Sequence, residues 1–116
     1  MATATQTKVE TLADIFRQAK LAAEQAGQNT EDGGTCNLDS PAFQCKGMRE
    51  STIKAAAELA GVDVCDFRWF GGKWFWLSSF LEGQANRRAR MSQAATQVMR
   101  ELAPEWMSVC QYCAID

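Results

Sequence analysis

A tight β-hairpin constrains the fold of this 116-residue chain more than any other segment. Residues 64–70 and 73–79 are rich in aromatic side chains, and they flank the dipeptide Gly71-Gly72. Two glycines between two strand-like segments are typical of a two-residue turn, and such a turn joins antiparallel strands. The chain is therefore predicted to contain a sheet that is at least partly antiparallel.

The hairpin also predicts which side chains share a face of the sheet. If the two glycines form the turn, Phe70 pairs with Lys73 and the pairing continues outward from there. Four rings then lie on one face, which is predicted to be the core face: Phe67, Trp69, Trp74 and Trp76. Phe75 lies on the opposite face with Leu77, where it could meet a ligand or a second subunit, or lie under a helix.

The first helix is predicted by a capping box, in which Thr7 is the N-cap and Glu10 follows three residues later. Apolar residues then recur at helical spacing as far as Gly27, which is predicted to end the helix. The buried stripe consists of Val9, Leu12, Ile15, Phe16, Ala19, Ala22, Ala23 and Ala26. Its late alanines would let this helix approach a sheet or another helix closely.

Two further helices are predicted at residues 48–60 and 84–102. The first of them should stop at Gly61, because glycine readily takes the left-handed conformation that ends a helix. The second should stop before Pro104, which cannot continue a helix.

Two more strands complete the sheet, at residues 35–45 and 105–115. Pro41 lacks a backbone N–H, so the first of these strands is predicted to lie at an edge of the sheet or to bend there. The order of elements is then α-β-α-β-β-α-β. This order predicts a single α+β domain of two layers, with helices packed on a four-stranded sheet.

The composition is that of an ordinary globular protein, with 47% hydrophobic residues, 22% charged residues and a net charge of −2. This net charge gives no reason to expect a nucleic acid duplex or an anionic membrane as a partner. No apolar run is long enough to span a bilayer, and the N-terminal residues lack the pattern of a secretory signal. A cytoplasmic location is therefore expected.

Five cysteines and the absence of histidine limit the chemistry. An odd number of cysteines without a secretory signal argues against a disulfide framework. Cys110 and Cys113 have the spacing of metal ligands, but a strand through both places them on opposite faces, so no metal site is expected. Without histidine, the Ser-His and Cys-His arrangements are excluded, and Asp32 and Asp39 are weak candidates for a general base. We expect a binding protein with no catalytic residue and no cofactor.

Three arginines stand at the predicted start of the third helix, where positive charge is unfavourable: Arg87, Arg88 and Arg90. The unpaired N–H groups of a helix N-terminus, together with guanidinium groups, suit a phosphate. Residues 73–76, with the sequence Lys-Trp-Phe-Trp, offer flat rings for stacking just upstream. Phosphate donors beside aromatic rings favour a nucleotide-like ligand. The alternative is that the arginines form a solvated face and the aromatic rings belong to the core.

Several segments resemble parts of small proteins encoded by phages of gut bacteria. They are the Ala-rich first helix, DGGTCNLDS at residues 32–40, the hairpin, GQANRR at residues 83–88, and a short last strand before Asp116. In layout and in these motifs, most of the chain resembles the phage anti-Thoeris sponge family.

This resemblance implies a function of sequestration. Members of the family bind the alarm signal of Thoeris defence, a cyclic ADP-ribose isomer, without cleaving it, in the cytoplasm of the host cell. Some members also capture cyclic oligonucleotides through basic residues late in the chain, and residues 101–116 here contain no Lys or Arg. The resemblance further implies a homo-oligomer, from a dimer up to a hexamer, with ligand pockets between protomers.

The resemblance also implies the residues that bind the ligand. In the family, an aromatic ring on the hairpin stacks on adenine, and an Asn and an Arg near the start of the next helix hold ribose and phosphate. On this chain the ring would be Phe75 or Trp76, and the helix residues would be Asn86, Arg87 and Arg90. Two alternatives come from other classes: a small phage inhibitor that binds a host defence protein directly, and an enzyme that degrades a nucleotide signal.

Overall fold

A computed structural model describes residues 4–30, 39–77, 80–81 and 85–112. Within these residues, three helices and a four-stranded sheet occur in the predicted order α-β-α-β-β-α-β, which confirms the α+β fold. The helices are α1 (Ala4–Gln28), α2 (Glu50–Ala60) and α3 (Ala85–Leu102). The strands are β1 (Ser40–Cys45), β2 (Val64–Trp69), β3 (Gly72–Leu77) and β4 (Met107–Tyr112).

The strands lie side by side in the order β2-β3-β1-β4, and all neighbours are antiparallel. The turn between β2 and β3 therefore lies at the same end of the sheet as the end of β1 and the start of β4. We call this the hairpin end. The prediction from Pro41 is wrong as to an edge position, because β1 lies between β3 and β4.

One face of the sheet packs against the helices, and we call it the helix face. On it, Phe43 of β1 stacks with Phe75 of β3, their ring centroids 5.7 Å apart, and Phe16 of α1 lies 5.2 Å from Phe43. The stripe predicted for α1 supplies much of this core: Leu12, Ile15, Phe16, Ala19 and Ala23 are all buried. Among the described residues, no helix has the length and apolar character needed to cross a membrane.

The ends of α1 differ from the prediction. The helix already begins at Ala4, so Thr7 lies inside it and is not an N-cap. It continues one residue beyond Gly27, which is buried rather than a terminator. A Cβ atom on Gly27 would lie 2.9 Å from the sulfur of Met91 in α3, so glycine here permits the close approach of two helices. By contrast, Gly61 ends α2 in the left-handed conformation, as predicted.

The hairpin turn lies one residue earlier than predicted. Trp69 pairs with Gly72, so the two turn residues are Phe70 and Gly71, with φ angles of 51° and 73°. Positive φ at both central positions is the geometry of a type I′ turn, which fits the twist of the flanking strands. Gly72 instead begins β3, where a Cβ would meet the side-chain nitrogen of Gln44 at 3.2 Å.

The prediction of which sheet face meets the core is also wrong. The grouping of side chains is as predicted, since Phe67 shares a face with Trp74 and Trp76, but this face lies away from the helices. Phe75, predicted to lie on the free face, is only 6% exposed within the core. The alternative left open by the sequence, that this face lies under helices, is the correct one.

Some predicted positions fall outside the described residues. These are the first part of the strand predicted at residues 35–45 and the last part of the strand predicted at residues 105–115. Cys36 and Cys113 belong to these parts, and Asp32, which precedes the first of them, also lies outside the described residues.

Candidate functional site

The three arginines do lie in the first two turns of α3, as predicted, but they point in different directions. The half-buried Arg87 donates a hydrogen bond from Nε to the carbonyl oxygen of Gly27, at 3.0 Å. The half-buried Arg88 donates from Nε to the carbonyl oxygen of Asp39, also at 3.0 Å. Each arginine therefore joins the start of α3 to a distant part of the chain.

The contact made by Arg87 gives its positive charge a structural role. Gly27 lies in the last turn of α1, where carbonyl groups lack intrahelical partners and carry a partial negative charge. A cation that is unfavourable at the start of its own helix is favourable at the end of another. Arg17 does the same for α2, because its Nη2 donates to the carbonyl oxygen of Leu59 at 3.2 Å.

Arg90 has no such contact. Its side chain is exposed, and within the described part of the chain it makes no hydrogen bond or ion pair. With Asn86 one turn before it and Gln93 almost one turn after it, Arg90 lines a shallow depression of about 500 Å³ that also includes Thr30. We call this the Arg90 depression, and its described lining residues include no carboxylate.

The Arg90 depression is chemically suited to an anion with hydroxyl groups nearby. The guanidinium offers several donors in a planar fork, and the start of α3 adds a partial positive charge. The side chains of Asn86 and Gln93 each supply a donor and an acceptor. The hydroxyl of Thr30 is already used, since it donates to the carbonyl oxygen of Ala26 at 2.8 Å.

The structure does not bring Arg87 into this depression. Arg87 lies on another side of α3, where it lines a separate cavity of about 330 Å³ with Lys20, Glu24 and Phe80. The single anion site expected from Arg87 and Arg90 is thus divided between two surfaces of α3. Of the three helix residues predicted to bind the ligand, only Asn86 and Arg90 line the same depression.

The two candidate rings are separated from each other as well. Phe75 lies in the core on the helix face, whereas the half-buried Trp76 lies on the opposite face of the sheet. Neither ring is among the described residues that line the Arg90 depression. Within one chain, therefore, Trp76 and Arg90 belong to different layers.

Trp76 belongs to an aromatic cluster on the face turned away from the helices, which we call the outer face. Its ring lies 4.9 Å from that of Phe67 and 5.4 Å from that of Tyr112, between centroids. Trp69 joins the cluster 5.4 Å from Tyr112. The place of Tyr112 in this cluster could not be predicted, because nothing local in the sequence shows that the last strand lies beside β1 with this side chain on the outer face.

No described strand residue on the outer face is charged. The strand pairings place these residues there: Ser40, Ala42, Gln44, Cys65, Phe67, Trp69, Trp74, Trp76, Ser108, Cys110 and Tyr112. Ala42 is 0% exposed although it lies outside the core formed with the helices, so its aromatic neighbours shield it from water. The rings thus form a prearranged apolar surface.

Among the described cysteines, Cys45 is poorly suited to act as a nucleophile. Burial raises the pKa of the Cys45 thiol to about 12, which keeps it protonated and unreactive near neutral pH. Cys65 is exposed on the outer face. Within the described ranges, no three Cys, Asp or Glu side chains are grouped closely enough to hold a metal ion.

Comparison of the chain with family models, with curated proteins and with solved structures finds no match.

Proposed function

We propose that this chain is a phage-encoded immune-evasion protein that binds and sequesters a cyclic nucleotide-derived second messenger, in first place a cyclic ADP-ribose isomer. The observation that carries the proposal is the Arg90 depression. An exposed arginine at the start of a helix, with no partner among the described residues, is locally unfavourable and needs an explanation outside the fold. An anionic ligand supplies one.

The polar groups of the depression match the parts of such a ligand. A phosphate can accept hydrogen bonds from the guanidinium of Arg90, helped by the partial positive charge of the helix start. Asn86 and Gln93 lie on the same side of α3, and their amides can bond to ribose hydroxyls as donors and acceptors. The positive charge of Arg90 favours an anion over a cation.

The ring that stacks on the base would come from a second copy. Trp76 is the candidate that remains on a surface, and it lies in a different layer from Arg90. A ligand that touches both residues would therefore bridge two protomers. This is the basis for proposing a homo-oligomer with shared pockets, and Trp76, Asn86 and Arg90 are its proposed ligand residues.

The proposal is binding without cleavage. The sequence contains no histidine, which is the commonest general base, and the buried Cys45 thiol has a raised pKa. A sponge needs only affinity and abundance, so it gains nothing from a catalytic group. Proteins of this kind act in the compartment where the signal is made, which is the host cytoplasm.

Thermal denaturation with a panel of ligands tests the proposal. The panel consists of cyclic ADP-ribose isomers, linear ADP-ribose and cyclic oligonucleotides. A bound ligand at about 100 times its Kd stabilises the folded state by about 2.7 kcal/mol, which raises Tm by several degrees. Ligand recovered intact after heating supports sequestration, a changed product indicates an enzyme, and no shift with any member of the panel contradicts the proposal.

A pair of variants locates the site. Arg90→Ala should weaken binding at least about tenfold, because a hydrogen bond to a charged group is lost, and should leave folding intact. Arg49→Ala is the matched control, since Arg49 is also exposed and precedes a helix, but lies at the start of α2. Equal binding by both variants would show that the Arg90 depression is not the site.

A direct inhibitor of a host defence protein is the second candidate. The observation that favours it is Phe70, whose side chain is 84% exposed at the tip of the hairpin. Large exposed aromatic residues are typical anchors of protein interfaces. Inhibition of a purified defence protein, without any thermal shift from the nucleotide panel, would favour this function.

A further inference from the structure

Phe70 occupies a position that its own chain does not explain. Its φ of 51° lies in the left-handed region, where Asn, Asp and Gly are favoured and a bulky side chain is rare. The ring contacts Trp69, at 4.7 Å between centroids, yet most of it faces water. A phenyl group that is both conformationally unfavourable and exposed points to a contact outside the chain.

A cavity that can receive a phenyl ring lies at the same end of the sheet. It has a volume of about 450 Å³ and is formed by the end of β1, the start of β3, the start of β4 and the segment that leads into α2. Cys45, Met48 and Phe75 give it an apolar part. Because an apolar cavity of about 150 Å³ already holds a benzene molecule, the size is sufficient.

The charges around this end of the sheet have both signs. Lys73 lies 3.1 Å from a carboxylate oxygen of Glu50 and 3.8 Å from one of Asp66. Arg68 pairs across the hairpin with Lys73, which has the same charge, and it has no ion-pair partner in the described part of the chain. A surface with both signs can meet a copy of itself without net repulsion.

We propose that two copies of this chain associate at the hairpin end, with Phe70 of each copy inserted in the cavity of the other. Phe70 is the anchor of this contact. Because Phe70 and the cavity lie at the same end of one sheet, a two-fold axis beyond this end lets each copy insert its Phe70 into the cavity of the other. A second copy is the occupant for this reason, since it supplies an anchor for this cavity and a cavity for this anchor, so that the same contact forms twice. This interface goes beyond the proposed function, because Trp76 and Arg90 lie away from the hairpin end and a ligand shared between them needs a different contact between protomers.

The first experiment is sedimentation of the full chain, without ligand, over a range of concentrations. The wild-type protein should form dimers, and Phe70→Asn should weaken the dimer at least about tenfold, because the anchor is lost. Asn suits the left-handed turn, so the Tm of this variant should not fall. Leu59→Gln is the matched control, because Leu59 is also exposed, at 54%, but lies on α2 away from the hairpin.

A second variant tests the cavity. Ser108 is exposed and lines the cavity, so Ser108→Glu places there a carboxylate that an inserted phenyl ring would have to bury. This variant alone should also dissociate. Mixed with Phe70→Asn, it should form a heterodimer more stable than either homodimer, because one intact anchor then meets one intact cavity.

Three results would overturn the interface: a wild-type monomer at every accessible concentration, dimers of Phe70→Asn as stable as wild type, or a mixture no more stable than its components. The outcome can be separated from that of the proposed function. Arg90 lies on α3 and not at the hairpin end, so Arg90→Ala should sediment as the wild type does. Ligand binding by a wild-type monomer would leave sequestration standing, but it would exclude both this interface and the pocket shared between protomers.

Discussion

The side chain of Arg87 connects the start of α3 to the end of α1 through a hydrogen bond of 3.0 Å to the carbonyl oxygen of Gly27. The same helix pair meets closely at Gly27 and Met91, one turn farther along α3. Arg87 is therefore part of the packing of two helices. Arg90, three residues later, has no comparable contact within the described residues.

This difference predicts opposite effects of two alanine substitutions on stability. Arg87→Ala should lower the free energy of unfolding by about 1–2 kcal/mol, since it removes a charged hydrogen bond from the carbonyl group of the buried Gly27. Arg90→Ala should change it by less than about 0.5 kcal/mol, as is usual for exposed positions. Urea denaturation of both variants measures the difference, and similar values would show that Arg90 has structural contacts too.

The two arginines also show why the sequence located the site only in part. A cation at a helix N-terminus breaks a local rule, and the sequence can show that. It cannot show that the group accepting from Arg87 lies 60 positions away, because only tertiary packing brings α1 and α3 together. The local rule therefore predicted a ligand site at three arginines, although two of them, Arg87 and Arg88, make hydrogen bonds within the fold.

Two buried hydroxyl groups in α3 lead to the next prediction. Ser92 and Thr96 are 0% and 2% exposed, and neither hydroxyl has a hydrogen-bond partner among the residues that the structure describes. An unpaired buried polar group costs about 1–3 kcal/mol, so Thr96→Val should raise the free energy of unfolding by about 1 kcal/mol. Thr30→Val is the control with the opposite sign, because it removes the hydroxyl that bonds to Ala26. A loss of stability in Thr96→Val would show that its hydroxyl is satisfied, for example by a buried water molecule.

The buried thiol of Cys45 predicts a dependence on alkaline pH. Its pKa is raised from 9.0 to about 12 in the folded state, so folding favours the protonated form. This contribution to stability is fully present below pH 9 and is lost as the pH rises towards 12. The exposed Cys65 should react with iodoacetamide at pH 9 faster than the half-buried Cys45, and unfolding should remove the difference, as peptide mass spectrometry can determine. Equal rates for the two thiols would contradict the burial of Cys45.

More of the fold than of the candidate site could be predicted from the sequence. The hairpin shows which part of the fold could not be predicted. Alternation in residues 64–77 correctly placed Phe67 and Trp76 on one face and Phe75 on the other. It did not show which face meets the helices, because both faces carry large apolar side chains. Phe75 is on the core face because its ring stacks on Phe43 of β1. The sequence could not predict this contact, because Pro41 suggested an edge position for β1, which in fact lies between β3 and β4.

The inverted faces give the last prediction, in which Phe75 and Trp76 exchange the roles that the sequence suggested. Phe75→Ala should destabilise the fold by about 3–5 kcal/mol, because Phe75 is 6% exposed and its ring stacks on Phe43 in the core. Trp76→Ala should cost less, because its ring is half-buried and its neighbours Phe67 and Tyr112 can partly close over the gap. If Trp76 stacks on the base of a bound nucleotide, Trp76→Ala should also weaken ligand binding by about 1–3 kcal/mol, measured on protein that is still folded. Urea denaturation and ligand titration of both variants separate the two effects. A Trp76→Ala protein that folds and binds as the wild type does would remove the outer face from the ligand site and leave the Arg90 depression to act without it.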